Sequence, residues 1–103
     1  MAKIFIKDEH LKTLTDIFKE QCPDAEIWAY GSRVTGDAHE GSDLDLVIRS
    51  LGNSKTSACE LKELIKEANI PFLIDMLEFD SLPEIFKREI TEQYEVIYNG
   101  QKR

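Results

Sequence analysis

Residues 29–48 read AYGSRVTGDAHEGSDLDLVI, and the fold turns on how they are read. A glycine-flanked bend, Gly31 to Gly36, leads to two aspartates, Asp43 and Asp45, at the head of an apolar run. DLDLVI (43–48) alternates at first and then becomes continuously apolar, the pattern of a buried strand with one polar end. Residues two apart on a strand share a face, so Asp43 and Asp45 point one way and Leu44 and Leu46 point into the core. Strand rise sets the two carboxylate stems roughly 6–7 Å apart. Like charges at that spacing repel, and partial desolvation sharpens the repulsion. A divalent cation relieves it. Mg²⁺ takes one or two carboxylates together with waters and substrate phosphates.

The bend supplies the complementary half of such a site. Gly31 and Gly36 allow backbone conformations closed to other residues and leave room for a ligand, although a plain turn accounts for them equally well when taken alone. Ser32 offers a hydroxyl and, with the amides that follow, a nest for phosphate where a helical turn begins. Arg33 either reaches phosphate oxygens or pairs with Asp37 or Glu40. Two familiar loops are excluded. Gly31 to Gly36 has Walker A glycine spacing, but Asp37 stands where lysine is required. Asp43-Leu44-Asp45 opens like an EF-hand, but Val47 and Ile48 replace a ligand and the glycine.

Further along, IPFLIDMLEF (70–79) reads as an apolar strand broken by Asp75. A bare charge inside such a strand costs several kcal/mol unless paired or metal-bound. Asp75 shares parity with Leu73 and Leu77 and belongs where one face of the sheet opens into a cleft, or in an ion pair at a sheet edge. If strands 43–48 and 71–78 are neighbours, Asp43, Asp45 and Asp75 converge and can hold two cations about 3.5–4 Å apart, as phosphoryl chemistry uses them.

The remaining segments alternate. IKDEHLKTLTDIFKEQCP reads as a helix capped by Asp8, with Leu11, Leu14, Ile17 and Phe18 as its apolar stripe and Pro23 beyond its end. AEIWAY (25–30) reads as a strand, with Trp28 and Tyr30 as core or strand residues. In the helix after residue 53, Ser57 and Glu60 fit a capping box and Leu61, Leu64, Ile65 and Ala68 face inward. Ser81, Pro83 and Glu84 suggest a second capping box with proline in the first turn, followed by a buried face of Leu82, Ile85, Phe86 and Ile90. YEVIY (94–98) closes the sheet. This predicts one α/β (α+β) domain over residues 1–103, a single mixed sheet of about four strands with helices packed on it.

Composition bounds the partners. Twenty acidic against 13 basic residues give a net charge of −7, which disfavours long nucleic acid, whose non-specific binding needs surplus Lys and Arg. A basic protein or a cation-escorted nucleotide suits the charge better. No apolar run is long enough to cross a bilayer, and no signal-peptide pattern stands at residue 1. Cys22 and Cys59 match no metal spacing and read as buried or idle thiols, consistent with a cytoplasmic location. His10 and His39 are expected on the surface.

Gly31-Ser32, Gly36, Ser42-Asp43-Leu44-Asp45-Leu46 and a later strand Asp75 together resemble the signature of the DNA polymerase β-like nucleotidyltransferases, and the short length resembles their minimal nucleotidyltransferase (MNT) branch. The resemblance spans nearly the whole chain. It implies a nucleotidyltransferase fold and transfer of a nucleoside monophosphate, such as AMP from ATP, to an acceptor hydroxyl. It further implies that Gly31, Ser32 and Ser42 hold the triphosphate, that Asp43 and Asp45 bind Mg²⁺, and that Asp75 helps activate the acceptor. MNT proteins of this kind pair with HEPN-type helical toxins as antitoxins and can place AMP on them. Two alternatives go with this reading: a non-catalytic nucleotide-binding antitoxin that acts by occlusion, and a small-molecule enzyme resembling the aminoglycoside nucleotidyltransferases.

Overall fold

The computed structural model describes residues 4–36, 41–53 and 56–100. The proposed pairing of Arg33 with Asp37 or Glu40, and the placement of His39, lie outside the described residues. The described elements run α1 (Asp8–Gln21), β1 (Glu26–Tyr30), α2 (Ser32–Thr35), β2 (Leu44–Ser50), α3 (Ala58–Glu67), β3 (Ile74–Glu78), a 3-10 turn (Phe79–Ser81), α4 (Glu84–Glu92) and β4 (Glu95–Asn99). The strands form one mixed sheet in the order β3-β2-β1-β4. β1 is antiparallel to both β2 and β4. β2 and β3 are parallel, joined by α3 as a crossover. This is the expected α+β mixed sheet. No helix among the described residues is long and apolar enough to cross a membrane.

Alternation along the strands makes two cores. Leu44, Leu46 and Ile48 of β2, Ile27 and Ala29 of β1 and Met76 of β3 meet Leu14 and Phe18 of α1 and Leu61 and Ile65 of α3. On the opposite face Trp28, Val47, Phe79 and Ile90 pack together with Leu77, Leu82, Phe86 and Tyr94 around them. The Trp28 ring stacks on Tyr94 with centroids 4.0 Å apart, and its indole N–H donates to Glu26 Oε2 at 2.8 Å. The buried indole thus finds the partner its polar atom needs.

Local signals set the helix ends unevenly. Ser57 and Glu60 form the predicted capping box, each side chain bonding the other's backbone N–H, at 3.1 and 3.0 Å. Asp8 is not the cap of α1. Lys7 holds the extended N-cap position, and Asp8 is the first helical residue, where with Glu9 it favours the positive end of the helix dipole. The second predicted box is absent too. Ser81 is taken into the 3-10 turn, and Pro83 is the N-cap of α4 with no side-chain bond, rather than a first-turn residue. Ile85, expected in the buried face of α4, is 70% exposed. Leu82, Phe86 and Ile90 are the residues turned to the sheet. The third strand is shorter than predicted because Pro71 and Phe72 belong to the approach, though the Leu73 carbonyl already accepts from the Leu44 N–H at 2.9 Å. His10, expected on the surface, is half-buried, and its ring meets Phe72 edge-on at 5.7 Å. Cys22 is buried at the end of α1, which raises its thiol pKa, and Cys59 is exposed; neither is in a disulfide.

Candidate active site

The register places the acidic residues in one row. Tyr30 on β1 pairs with Asp45 on β2, and Asp45 pairs with Asp75 on β3. Directly paired residues share a sheet face, so Tyr30, Asp45 and Asp75 stand side by side. The next row inward, Trp28, Val47 and Leu77, lies in the core beneath α4. The acids therefore occupy the first row that α4 leaves open, where β1 ends and β2 and β3 begin. Asp43 precedes β2 and is exposed, Asp45 is half-buried and Asp75 is exposed. That exposure corrects one expectation. β3 is an edge strand, so Asp75 escapes the burial penalty of a mid-strand charge, and among the described residues it makes no ion pair.

Electrostatics follow from the row. Burial first, then the charges of Asp75 and Asp43, push the Asp45 carboxyl above its ordinary pKa. The Tyr30 hydroxyl is pushed up to about 12 by burial and then by Asp45 and Asp75. The site thus carries a concentration of negative charge.

The bend after β1 is shaped against this row. Gly31 has φ 82° and ψ −159°, a region essentially reserved for glycine. A Cβ there would also run into Asp45 Oδ2 and lie 3.2 Å from Asp45 Cγ. No other residue lets β1 turn so close to the carboxylate. Gly36, at φ 97°, ends the single helical turn of α2. Ser32 is the half-exposed first residue of α2, directly after Gly31.

Arg33 departs from its expected role. It is 3% exposed. Its Nε and Nη2 donate to the Ser42 carbonyl at 3.0 and 2.6 Å, and its Nη1 donates to the Phe5 carbonyl at 2.6 Å. Its guanidinium lies 4.0 Å from the Phe72 ring centroid. Arg33 is a clamp joining the N-terminal segment, the approach to β2 and the approach to β3, and not a phosphate hand. Ser42 enters this clamp through its carbonyl, which fixes the chain one residue before Asp43.

Among the described residues no three His, Cys, Asp or Glu side chains are gathered into a metal cage, so the predicted three-carboxylate cluster is not preformed. The donor chemistry still fits Mg²⁺. Hard carboxylate oxygens from Asp43 and Asp45 are what that ion takes from a protein, the rest of its shell being water and phosphate. The raised pKa of Asp45 is the repulsion such an ion would relieve.

Sequence reasoning missed the contribution of α4. A groove of about 460 Å³ opens beside Gly31, lined by Tyr30, Thr35, Phe86, Glu89 and Gln93 among others. Phe86 meets the Tyr30 ring edge-on at 5.9 Å. The apolar stripe of α4 was the available signal; which sheet row it covered was not.

Comparison with known proteins gives three findings. Residues 12–103 match the family "Polymerase beta, Nucleotidyltransferase". The chain is 37% identical over 102 residues to the "Probable protein adenylyltransferase MntA" of Haemophilus influenzae, covering 98% of this chain and 90% of that protein. A solved structure, "Crystal structure of the toxin-antitoxin with AMP-PNP", superposes with a TM-score of 0.67 at 16% identity, over 86% of this chain and 73% of that one. At that identity the likeness is one of fold.

Proposed function

The chain belongs to the polymerase β nucleotidyltransferase family, and from that premise we propose that it is the MNT antitoxin of a HEPN/MNT pair, transferring AMP from ATP to a hydroxyl of its partner protein. The observation that carries this reading is the row Tyr30–Asp45–Asp75 beside the Gly31-Ser32 bend, with Asp43 next to it. The curated relative named as a protein adenylyltransferase supports the donor and the acceptor class. The structural neighbour, a toxin-antitoxin with an ATP analogue, supports the pairing.

In this mechanism the triphosphate docks at the Gly31-Ser32 turn. Gly31 keeps the backbone close, and Ser32 offers its hydroxyl and the first helical amide. Asp43 and Asp45 would hold Mg²⁺, which when bound supplies charge neutralisation to the phosphates and the leaving group. Asp75, exposed at the sheet edge, faces the acceptor and takes the proton from its hydroxyl. The acceptor oxygen forms a bond to the α-phosphorus as the bond to the bridging oxygen breaks. AMP is now on the acceptor, pyrophosphate has left, and the proton is on Asp75. Positioning and electrostatics provide most of the acceleration.

The test is incubation with Mg·ATP and the proposed HEPN-type partner, followed by intact-mass measurement of that protein. An added AMP on the partner, lost with Asp43→Asn or Asp45→Asn, is the expected result. Neutralisation of the partner with no added mass would replace transfer by occlusion.

A further inference from the structure

The groove beside Gly31 has a volume of about 460 Å³, within the roughly 300–1,000 Å³ of small-molecule pockets. It opens at the Tyr30 end of the row, two strands away from Asp75. Gly31, half of the bend that would take the phosphates, is part of its wall. A molecule held at the bend by one end therefore reaches the groove with the other.

Among the described residues the lining holds two acids, Glu89 and Glu92, and no lysine or arginine; Thr35 and Ile90 add neutral surface. Carboxylates repel a phosphate chain and accept from N–H donors. Tyr30 and Phe86 supply two rings at 84° to each other, so a flat ring stacked on one meets the edge of the other, and both arrangements are favourable. Phe86, Glu89 and Gln93 follow at i, i+3 and i+7, one stripe along α4 and its C-cap. Glu89 and Gln93, four apart and exposed, set a carboxylate acceptor beside an amide that can donate. Among the described residues neither side chain has a hydrogen-bond or ion-pair partner.

We propose that this groove binds the purine base of the donor nucleotide, with adenine stacked on Phe86 against Tyr30, its 6-amino group donating to Glu89 and the adjacent ring nitrogen accepting from the Gln93 amide. The triphosphate is anionic and belongs at the bend with its cation; the base is the uncharged end of the same molecule. A donor and an acceptor side by side form the edge that a single amide reads in adenine, and here a carboxylate and an amide share it. The row then divides the work, with the base at the Tyr30 end and the acceptor at the Asp75 end. Phe86, Glu89 and Gln93 set which nucleotide is used and take no part in the bond changes. The assignment rests on the reading of the Gly31-Ser32 bend as the triphosphate site.

The probes are Mg·ATP and the magnesium complex of purine riboside triphosphate, which lacks the 6-amino group. Affinities for the full chain are measured by calorimetry, and contacts by NMR on isotope-labelled protein. ATP should bind at least about tenfold tighter than the analogue, and Glu89→Ala, at an exposed position, should bring the two within about twofold of each other. Phe86→Ala should weaken both alike, by about tenfold, through lost stacking. Because Phe86 also packs on the sheet, direct contact is read in wild type, as nuclear Overhauser effects from adenine H2 or H8 to the Phe86 ring. Equal affinity for the two nucleotides, a preference that Glu89→Ala leaves unchanged, or no adenine contact to Phe86 overturns the proposal. So does a groove whose 86, 89 and 93 amides shift with the partner protein and not with Mg·ATP, which would give it to a basic segment of that partner. The two readings fail separately. AMP transfer to the partner with no base preference removes the pocket and keeps the activity. A base preference that follows Glu89, with no Mg·ATP-dependent transfer to any acceptor, removes the activity and keeps the pocket.

Discussion

Replacing Gly31 by alanine should damage stability and chemistry through two separable effects. Holding a non-glycine residue at φ 82°, ψ −159° costs about 1–3 kcal/mol. The new Cβ would overlap Asp45 Oδ2 and crowd Cγ at 3.2 Å. The carboxylate must rotate off its preferred rotamer, which adds about 0.5–1.5 kcal/mol. The sum, about 1.5–4.5 kcal/mol, lowers the melting temperature by at least roughly 6 °C in a domain of this size. Thermal and urea unfolding of Gly31→Ala measures the total. A cycle with Asp45→Ala isolates the clash, because that change removes Oδ2 and Cγ and leaves only the Asp45 Cβ, at an ordinary 3.4 Å. In the Asp45→Ala background, Gly31→Ala should therefore cost less, by about the rotamer term. Loss of transfer in folded Gly31→Ala protein at low temperature should accompany the rotation. A Gly31→Ala variant within about 0.5 kcal/mol of wild type, or a cost identical in both backgrounds, would refute the close approach of bend and carboxylate.

Three further outcomes follow. Asp45→Asn should abolish AMP transfer yet raise stability at neutral pH without Mg²⁺. The folded pKa of Asp45 lies above its unfolded value, so its favourable contribution is present below the unfolded pKa and lost as pH rises through the folded one; the gain should disappear in melts run at acid pH, and only wild type should be stabilised by adding Mg·ATP. Arg33→Met should destabilise by about 2–4 kcal/mol, since it leaves the Phe5 and Ser42 carbonyls without their charged donor. The KM for ATP of the protein that remains folded should be unchanged, and a large rise in KM would return Arg33 to the phosphates. Ile85→Lys should alter stability by no more than about 0.5 kcal/mol, whereas Ile90→Ala, at 2% exposure, should cost about 2–5 kcal/mol by urea unfolding; similar costs for the two would mean that α4 is rotated from the orientation described.

What could be read from the sequence was whatever depends on near neighbours. The Ser57–Glu60 box is a four-residue device with no competitor, and it formed. The Ser81–Glu84 pattern has the same spacing and did not form: Ser81 belongs to the 3-10 turn that begins at Phe79, whose ring packs 5.6 Å from that of Trp28 and 4.8 Å from the Arg49 guanidinium carbon. Nine residues of α4 are too few for periodicity to choose between Ile85 and Phe86 as the inward position; the Trp28 row chose. The parity of Asp43 and Asp45 was visible in the alternation, and so was that of Asp75 with Leu73 and Leu77. The pairing of Asp45 with Asp75, and the arrival of Tyr30 in the same row, depend on strand register, which the sequence does not print. The loop-tying bonds of Arg33 were illegible for a related reason: one of its acceptors, the Phe5 carbonyl, is 28 residues away, and nothing local distinguishes a guanidinium that binds phosphate from one that ties loops together.

The like-charge row survives because the residues between the acids are anchored more strongly than the acids repel. Leu44 and Leu46 flank Asp45 and are completely buried on the opposite face, each contributing about 1.5–3 kcal/mol. Leu44 is further tied to Leu73 by its backbone N–H, and the Arg33–Ser42 bonds fix the chain just ahead of Asp43. Asp45 itself is only half-buried, so its repulsion with exposed Asp43 and Asp75 is screened by water. The hydrophobic anchor wins, and the strand cannot slip by one residue to separate the charges without exposing both leucines and burying the acids. The fold therefore holds its carboxylates in a position they would not choose alone, which is the arrangement the proposed reaction needs. A variant that weakened the anchor, such as Leu46→Ala, should let the row relax: its stability should fall by about 2–5 kcal/mol, and the Asp45 pKa, followed by NMR, should move back toward the ordinary carboxylate value. A lowered stability with the Asp45 pKa unmoved would mean that the acids are held by something other than the leucines beneath them.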